Sequence, residues 1–161
     1  MYDPDQPRQK KTYSKKEAKL KAADYCAYQE RSQQEVRDKL YDYGLHQADV
    51  EEVISFLITE GFINEERFAK AYVRGKFHMK KWGRNKIAAG LKQHKISPYC
   101  LKKGWQEIDE EEYLKVLLEL IEKKESSLKE TNQFIRKKKI AQFAIQRGFE
   151  SHLVWDELRK S

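Results

Sequence analysis

Strand signals are missing from this chain. Apolar and polar residues nowhere alternate with period two through a β-branched run, which excludes a sheet-based core. Long apolar runs are missing too: with no stretch of about 18 apolar residues, no transmembrane helix is expected. The first residues, Met1 to Lys16, are polar and lack the apolar core of a secretory signal, so a cytoplasmic protein is expected. Cysteine is scarce. Cys26 and Cys100 fall on predicted helices without metal-ligand spacing, and both are expected to be buried, reduced thiols. The histidines (His46, His78, His94 and His152) are scattered, with no HExxH or CxxC pattern and no recognisable partner carboxylate. Glycine-rich phosphate loops are absent, since Gly83 and Gly90 sit in a helical pattern with no strand before them. No catalytic residue, metal ligand or cofactor is expected.

Charge, by contrast, is plentiful. Of 161 residues 37% are charged and only 39% hydrophobic, against about 25% charged in an average soluble domain. That balance suggests a thin, elongated structure with much exposed surface. The net charge of +7 is unevenly placed. Residues 22–60 are mainly acidic, with Glu30, Glu35, Glu51 and Glu52 among nine carboxylates and only Arg31, Arg37 and Lys39 opposing them. Residues 61–108 reverse the sign and carry twelve Lys and Arg against Glu65, Glu66 and Glu107. Such polarity creates a field that can orient a partner.

Helix signals fill the space. Residues 1–13, with two prolines and several cations, read as a flexible basic tail. Ser14 with Glu17 and Ser32 with Glu35 have capping-box spacing, and Asp109 with Glu112 gives a third such pair. Ser97-Pro98 is a further start signal, while Gly44, Gly61 and Gly148 are stop signals. The spacing predicts nine helices. Leu20, Ala23 and Ala27 are expected inward on the first, and Phe68, Ala71 or Tyr72, and Gly75 on the fourth, whose start Asn64 caps.

These helices fall into triplets. Val36, Ile87 and Ile140 lie 51 and 53 residues apart, and each begins the same columns. Four residues on come Leu40, Leu91 and Ala144. Turn pairs follow at Gly44-Leu45, Lys95-Ile96 and Gly148-Phe149, then Val50, Leu101 and Val154, then Ile54, Trp105 and Leu158. The columns predict an all-α protein of three tandem three-helix repeats forming an elongated, curved array. The expected segments are a basic tail (1–13), an acidic first repeat (14–61), a basic second repeat (62–108) and a third repeat (109–161).

The ordered set Arg31-Ser32, Glu35-Val36, Lys39-Leu40 and Gly44, then Gly61-Phe62-Ile63-Asn64-Glu65-Glu66-Arg67-Phe68-Ala69, Tyr72-Val73, Gly83, Lys86-Ile87 and Leu91 resembles the RecX regulatory proteins of bacteria. The likeness is clear over residues 22–105. There are two departures: the family usually has two acidic residues where Asn64 and Glu65 stand, and often a proline where Arg84 stands. The resemblance implies a negative regulator that binds in the groove of the RecA–DNA filament and inhibits its ATPase and strand exchange. DNA repair, homologous recombination and the SOS response are the implied setting. Its implied partners are RecA and, weakly on its own, single- or double-stranded DNA, and it is expected as a monomer.

The cations give this role a physical basis. Lys70, Arg74, Lys76, Lys80, Lys81, Arg84 and Lys86 gather around Trp82 and Phe77. Lysines and arginines supply salt-dependent phosphate contacts, and an exposed ring can stack on a base or anchor a protein. The bland alternative is a solvated helical face with Trp82 in the core. Arg136, Lys137, Lys138 and Lys139 form a second cluster, but on a helix they point around the axis. Tail cations such as Arg8, Lys10 and Lys15 are candidates for loose attraction to DNA. Two other readings stand beside the first: an autonomous helical DNA-binding protein using the basic second repeat, and a helical adaptor for another protein.

Overall fold

The computed structural model describes residues 12–160, which form nine α-helices and no strand. They are α1 (Lys15–Tyr28), α2 (Gln33–Asp42), α3 (Gln47–Thr59), α4 (Glu65–His78), α5 (Arg84–Gln93), α6 (Pro98–Trp105), α7 (Glu110–Ser127), α8 (Gln133–Gln146) and α9 (Ser151–Arg159). None of these is long and apolar enough to cross a membrane. Most of the expected tail lies outside the described residues, but its last residue, Tyr13, is tied down, as is Lys15. The Tyr13 amide donates to the Tyr43 carbonyl at 3.0 Å and the two rings meet edge to face at 5.4 Å. Lys15 pairs with Glu52, with Asp49 4.0 Å away.

The helix signals act through the atoms they named. Ser14–Glu17 and Ser32–Glu35 close complete capping boxes, each hydroxyl accepting from the third amide and each glutamate accepting back. Asn64 accepts from the Arg67 amide at 2.8 Å, and Ser97 accepts from Cys100 with Pro98 beside it. Asp109 accepts from the Glu112 amide, but the Glu112 carboxylate lies 3.4 Å from His78 Nδ1.

The repeat columns correspond to one backbone device used three times. Gly44, Lys95 and Gly148 all have positive φ, and each amide donates to a carbonyl three residues back. The next residues, Leu45, Ile96 and Phe149, donate five residues back, to Leu40, Leu91 and Ala144. The left-handed residue reverses the chain and drops an apolar side chain against the helix it has just left. The second helix of every triplet therefore ends alike, and the third begins three residues after the left-handed one.

The inward faces of three helices differ from expectation. On α1 the buried set is Ala18, Ala22 and Cys26, while Leu20 is 63% exposed and Ala27 is also exposed. Small side chains four apart let neighbouring helices approach closely, and that proximity outweighs burying one leucine. On α4 the buried residues are Phe68, Ala69, Val73 and Phe77, with Ala71, Tyr72 and Gly75 half-buried. On α6 the inward residues are Cys100 and Gly104, leaving Leu101 and Trp105 half-buried, one position off the column. Gly104 sets that rotation: a Cβ there would stand 2.9 Å from Val73 Cγ2 and 3.3 Å from the Ala69 carbonyl oxygen.

The chain folds as two compact units that divide between Phe68 and Ala69, within α4. The first holds α1 to α3 around Val36, Leu40, Val50, Val53 and Leu57. Arg67, counted among the cations of the basic second repeat, serves this unit instead. Its guanidinium pairs with Glu30 and donates to the Gly61 carbonyl at 2.9 Å, tying the end of α3 to the α1–α2 turn. Cys26 is buried here as a free thiol, and burial pushes its pKa up to about 11. In a Cys100→Ala variant, labelling of Cys26 by a thiol reagent at pH 8 should run at least about 100-fold slower than that of a free cysteine, whose pKa is about 8.5. Reaction at the free-thiol rate would show that α1 opens readily.

The second unit brings the second and third triplets together backbone to backbone. The Gly83 amide donates to the Arg147 carbonyl and the Asn85 amide to the Gly148 carbonyl, both at 2.8 Å. A Cβ on Gly83 would lie 2.3 Å from Gly148 C and Phe149 N, so only glycine fits that contact. Beneath it Tyr113 is fully buried, its ring centroid 5.7 Å from that of Phe77 and 5.1 Å from that of Phe149.

Candidate partner interface

Arg84 belongs to the framework of the second unit. Its guanidinium lies 4.0 Å over the Tyr113 ring, pairs with Glu110, and reaches Glu150 at 2.9 Å. Its amide donates to the Tyr113 hydroxyl at 3.0 Å, and that hydroxyl donates to Glu150. Burial, then the bond to Glu150, push the phenol above its ordinary range and keep it protonated. Arg136, first of the second cluster, is also internal. It donates to the carbonyls of Glu125, Leu128 and Glu130 and so closes the end of α7. Arg84 was a candidate partner contact and Arg136 a member of the secondary cluster, and the guanidinium groups of both are engaged by groups of the fold itself.

The remaining cations are arranged differently. Tyr72 and Lys76 stand one turn apart on α4; Lys86 and Gly90 stand one turn apart on α5, with His94 at its end. Between the helices Lys81 takes φ 58°, so the chain reverses and the Trp82 amide donates back to the Lys76 carbonyl at 3.1 Å. The reversal brings the half-buried indole close to two ammonium groups. Lys76 Nζ is 4.9 Å from the ring centroid and Lys86 Nζ is 4.4 Å. Lys76 also lies 5.3 Å over Tyr72, whose ring meets His94 at 5.6 Å. Gly90 makes room for Tyr72: a Cβ there would stand 1.9 Å from the phenol oxygen.

This ribbon is cationic and largely unneutralised. Among the described residues no carboxylate pairs with Lys76, Lys80, Lys81 or Lys86. Lys80 and Lys81 are exposed at its edge, and Arg74 lies 3.8 Å from Glu107 while more than half exposed. Lys70 is half-buried on α4. In the other cluster Lys138 and Lys139 are exposed and Lys137 is half-buried. Phe77, grouped with Trp82 from sequence, is fully buried and offers no exposed ring. Tyr72 and His94 were missed, although the four-residue spacings 72–76 and 86–90–94 carried the signal.

Lys81 holds a conformation that L-residues adopt at a cost of roughly 1–2 kcal/mol. Lys81→Gly should therefore stabilise the unit by about 1 kcal/mol, read as a higher urea midpoint with an unchanged slope. No gain would mean the lysine makes compensating contacts.

Comparison with known proteins agrees with this architecture. Models of the first, second and third RecX three-helix domains match residues 18–57, 64–103 and 110–158, together most of the chain. Regulatory protein RecX of Bacillus mycoides is 29% identical over 137 residues, covering 85% of this chain and 51% of that protein. The Bacillus cytotoxicus protein of the same name is 30% identical over the same length and coverage. The chain thus spans about half the length of these curated relatives. A crystal structure of RecX from Lactobacillus salivarius superposes with a TM-score of 0.80 at 23% identity, covering 91% of this chain and 94% of that one. A second crystal structure, of regulatory protein RecX, gives 0.82 at 21% identity, covering 91% and 72%. Nine helices in three triplets, each matched in order by its own domain model, make this chain a member of the RecX family.

Proposed function

We propose that this protein is a non-enzymatic, cytoplasmic modulator of the RecA recombinase. As a monomer it lies in the groove of the RecA–DNA filament and lowers ATP hydrolysis and strand exchange. The observation that carries this reading is the half-buried Trp82 with the Lys76 and Lys86 ammonium groups close to its ring and Lys80 and Lys81 exposed beside it. A nucleoprotein groove is an acidic channel, and an unneutralised cationic face is drawn into one and held there.

Backbone strain supports the same face. Among the described residues the other left-handed positions are glycines (Gly44, Gly61 and Gly148), whereas in the second triplet they are Lys81 and Lys95. Of these two, Lys81 belongs to the cationic ribbon, and strain held at an exposed cation fits a functional position. Arg84 and Arg136 are left out of the proposed interface because their charges are used internally. The family resemblance supports RecA as the partner, and the exposed cations support this face as the contact.

The test is a titration of RecA's single-strand-dependent ATPase with this protein, run beside binding to that DNA alone. Inhibition at protein levels comparable to RecA, with weak binding to free DNA, is expected. Unchanged hydrolysis at large excess together with tight, steeply salt-dependent DNA binding would favour an autonomous DNA-binding protein using the same face.

A further inference from the structure

The cationic ribbon does not end at the second triplet. The Arg147 guanidinium donates to the Lys80 carbonyl at 3.2 Å and also lies 5.4 Å from the centre of the Phe143 ring. Lys124 of α7 approaches that ring from its own helix, at 5.2 Å. Lys139 and Phe143 of α8 and Arg147, the residue that caps its end, are spaced by four and lie along one side, and Lys139 is exposed. Phe143 is half-buried, a large ring with two cations 5.2 and 5.4 Å from its centre. Among the described residues no carboxylate pairs with Lys124, Lys139 or Arg147.

The second unit thus carries two settings of one motif, a ring flanked by cations: Lys76–Trp82–Lys86 and Lys124–Phe143–Arg147. The Lys80–Arg147 hydrogen bond joins them. Cations alone would suit any polyanion. Rings interleaved with cations suit unpaired nucleotides, whose bases stack while their phosphates meet the ammonium groups. A duplex hides its base faces and gains nothing from the rings. An acidic protein segment would use the charges and leave at least one ring idle.

We infer that Phe143, flanked by Lys124, Arg147 and Lys139, is a second stacking platform continuous with Trp82, and that the pair makes this surface selective for single-stranded over double-stranded nucleic acid. The inference rests on the basic-face reading above, but it is tested without RecA, so the two can fail separately.

The experiment measures anisotropy of a labelled oligothymidylate of about 20 nucleotides and of a hairpin duplex, at several salt concentrations. The full chain is compared with Phe143→Leu and with Lys124→Gln/Lys139→Gln, folding being checked by circular dichroism. Phe143→Leu should weaken oligothymidylate binding about tenfold with the salt slope unchanged, and leave duplex binding alone. The double lysine variant should flatten the single-strand salt slope by roughly 1.4, about 0.7 for each phosphate no longer neutralised. Equal weakening on both nucleic acids, no weakening on oligothymidylate, or no binding by the parent protein would overturn the proposal. So would polyglutamate displacing the oligonucleotide at equal charge concentration, since the track would then be a site for acidic protein.

Discussion

Gly83→Ala should destabilise the second unit by about 3–5 kcal/mol. The substituted methyl has nowhere to go, because the atoms it meets at 2.3 Å are Gly148 C and Phe149 N, main-chain atoms of the turn that begins α9. Overpacking against side chains typically costs about 1–3 kcal/mol, and backbone yields less readily. Separating the two strands of chain also endangers the Gly83–Arg147 and Asn85–Gly148 hydrogen bonds, worth roughly 0.5–1.5 kcal/mol each. Against a domain stability of about 5–15 kcal/mol the effect is large. Urea unfolding followed by circular dichroism measures it, and Cys100, buried in this unit, should label faster as a second sign. A variant as stable as the parent would mean that the contact between the triplets is looser than described.

Arg84→Ala should cost about 3 kcal/mol, a stability effect at a residue whose sequence context suggested binding. The guanidinium compensates Glu150, whose side chain is only 19% exposed, and Glu110 besides. Removing one partner of a largely desolvated pair leaves an uncompensated charge, and that penalty runs to about 3–5 kcal/mol in a fully buried site. Arg84→Pro separates the backbone contribution. Proline suits the first turn of a helix and is frequent at this place in the family, but it lacks the amide that donates to the Tyr113 hydroxyl. It should be about 1 kcal/mol worse than alanine. If proline proves equal to or better than alanine, that hydrogen bond contributes nothing.

Much of this fold was legible because its signals are local. A serine with a glutamate three residues on, and a glycine after the last apolar position, act through atoms a turn away, and they do so at Ser14, Ser32, Gly44 and Gly148. The repeat was legible for the same reason, since one helix-closing device recurs at a fixed distance from Val36, Ile87 and Ile140. The inward faces were less so. On α1 alanines and a cysteine compete with Leu20 for the interior, and the contest is settled by how closely the neighbouring helices approach, which no single-helix pattern encodes. The fate of each cation was the least legible. Nothing in the run Lys80-Lys81-Trp82-Gly83-Arg84 separates the arginine that Glu110 and Glu150 hold from the lysines, which no carboxylate pairs with among the described residues. Those carboxylates lie 26 and 66 residues further along the chain. Sequence proximity grouped charges that tertiary structure divides into framework and surface.

The most direct measurement of the central claim is RecA's single-strand-dependent ATP hydrolysis titrated with the parent protein and with Lys76→Glu/Lys80→Glu/Lys86→Glu, leaving Arg84 in place. The parent should inhibit. The triple variant, as helical and as stable as the parent, should need at least about tenfold more protein for the same effect, because three unneutralised cations become three repelling charges on the proposed contact face. Equal potency of the two proteins would contradict the account and place the contact with RecA elsewhere on the molecule.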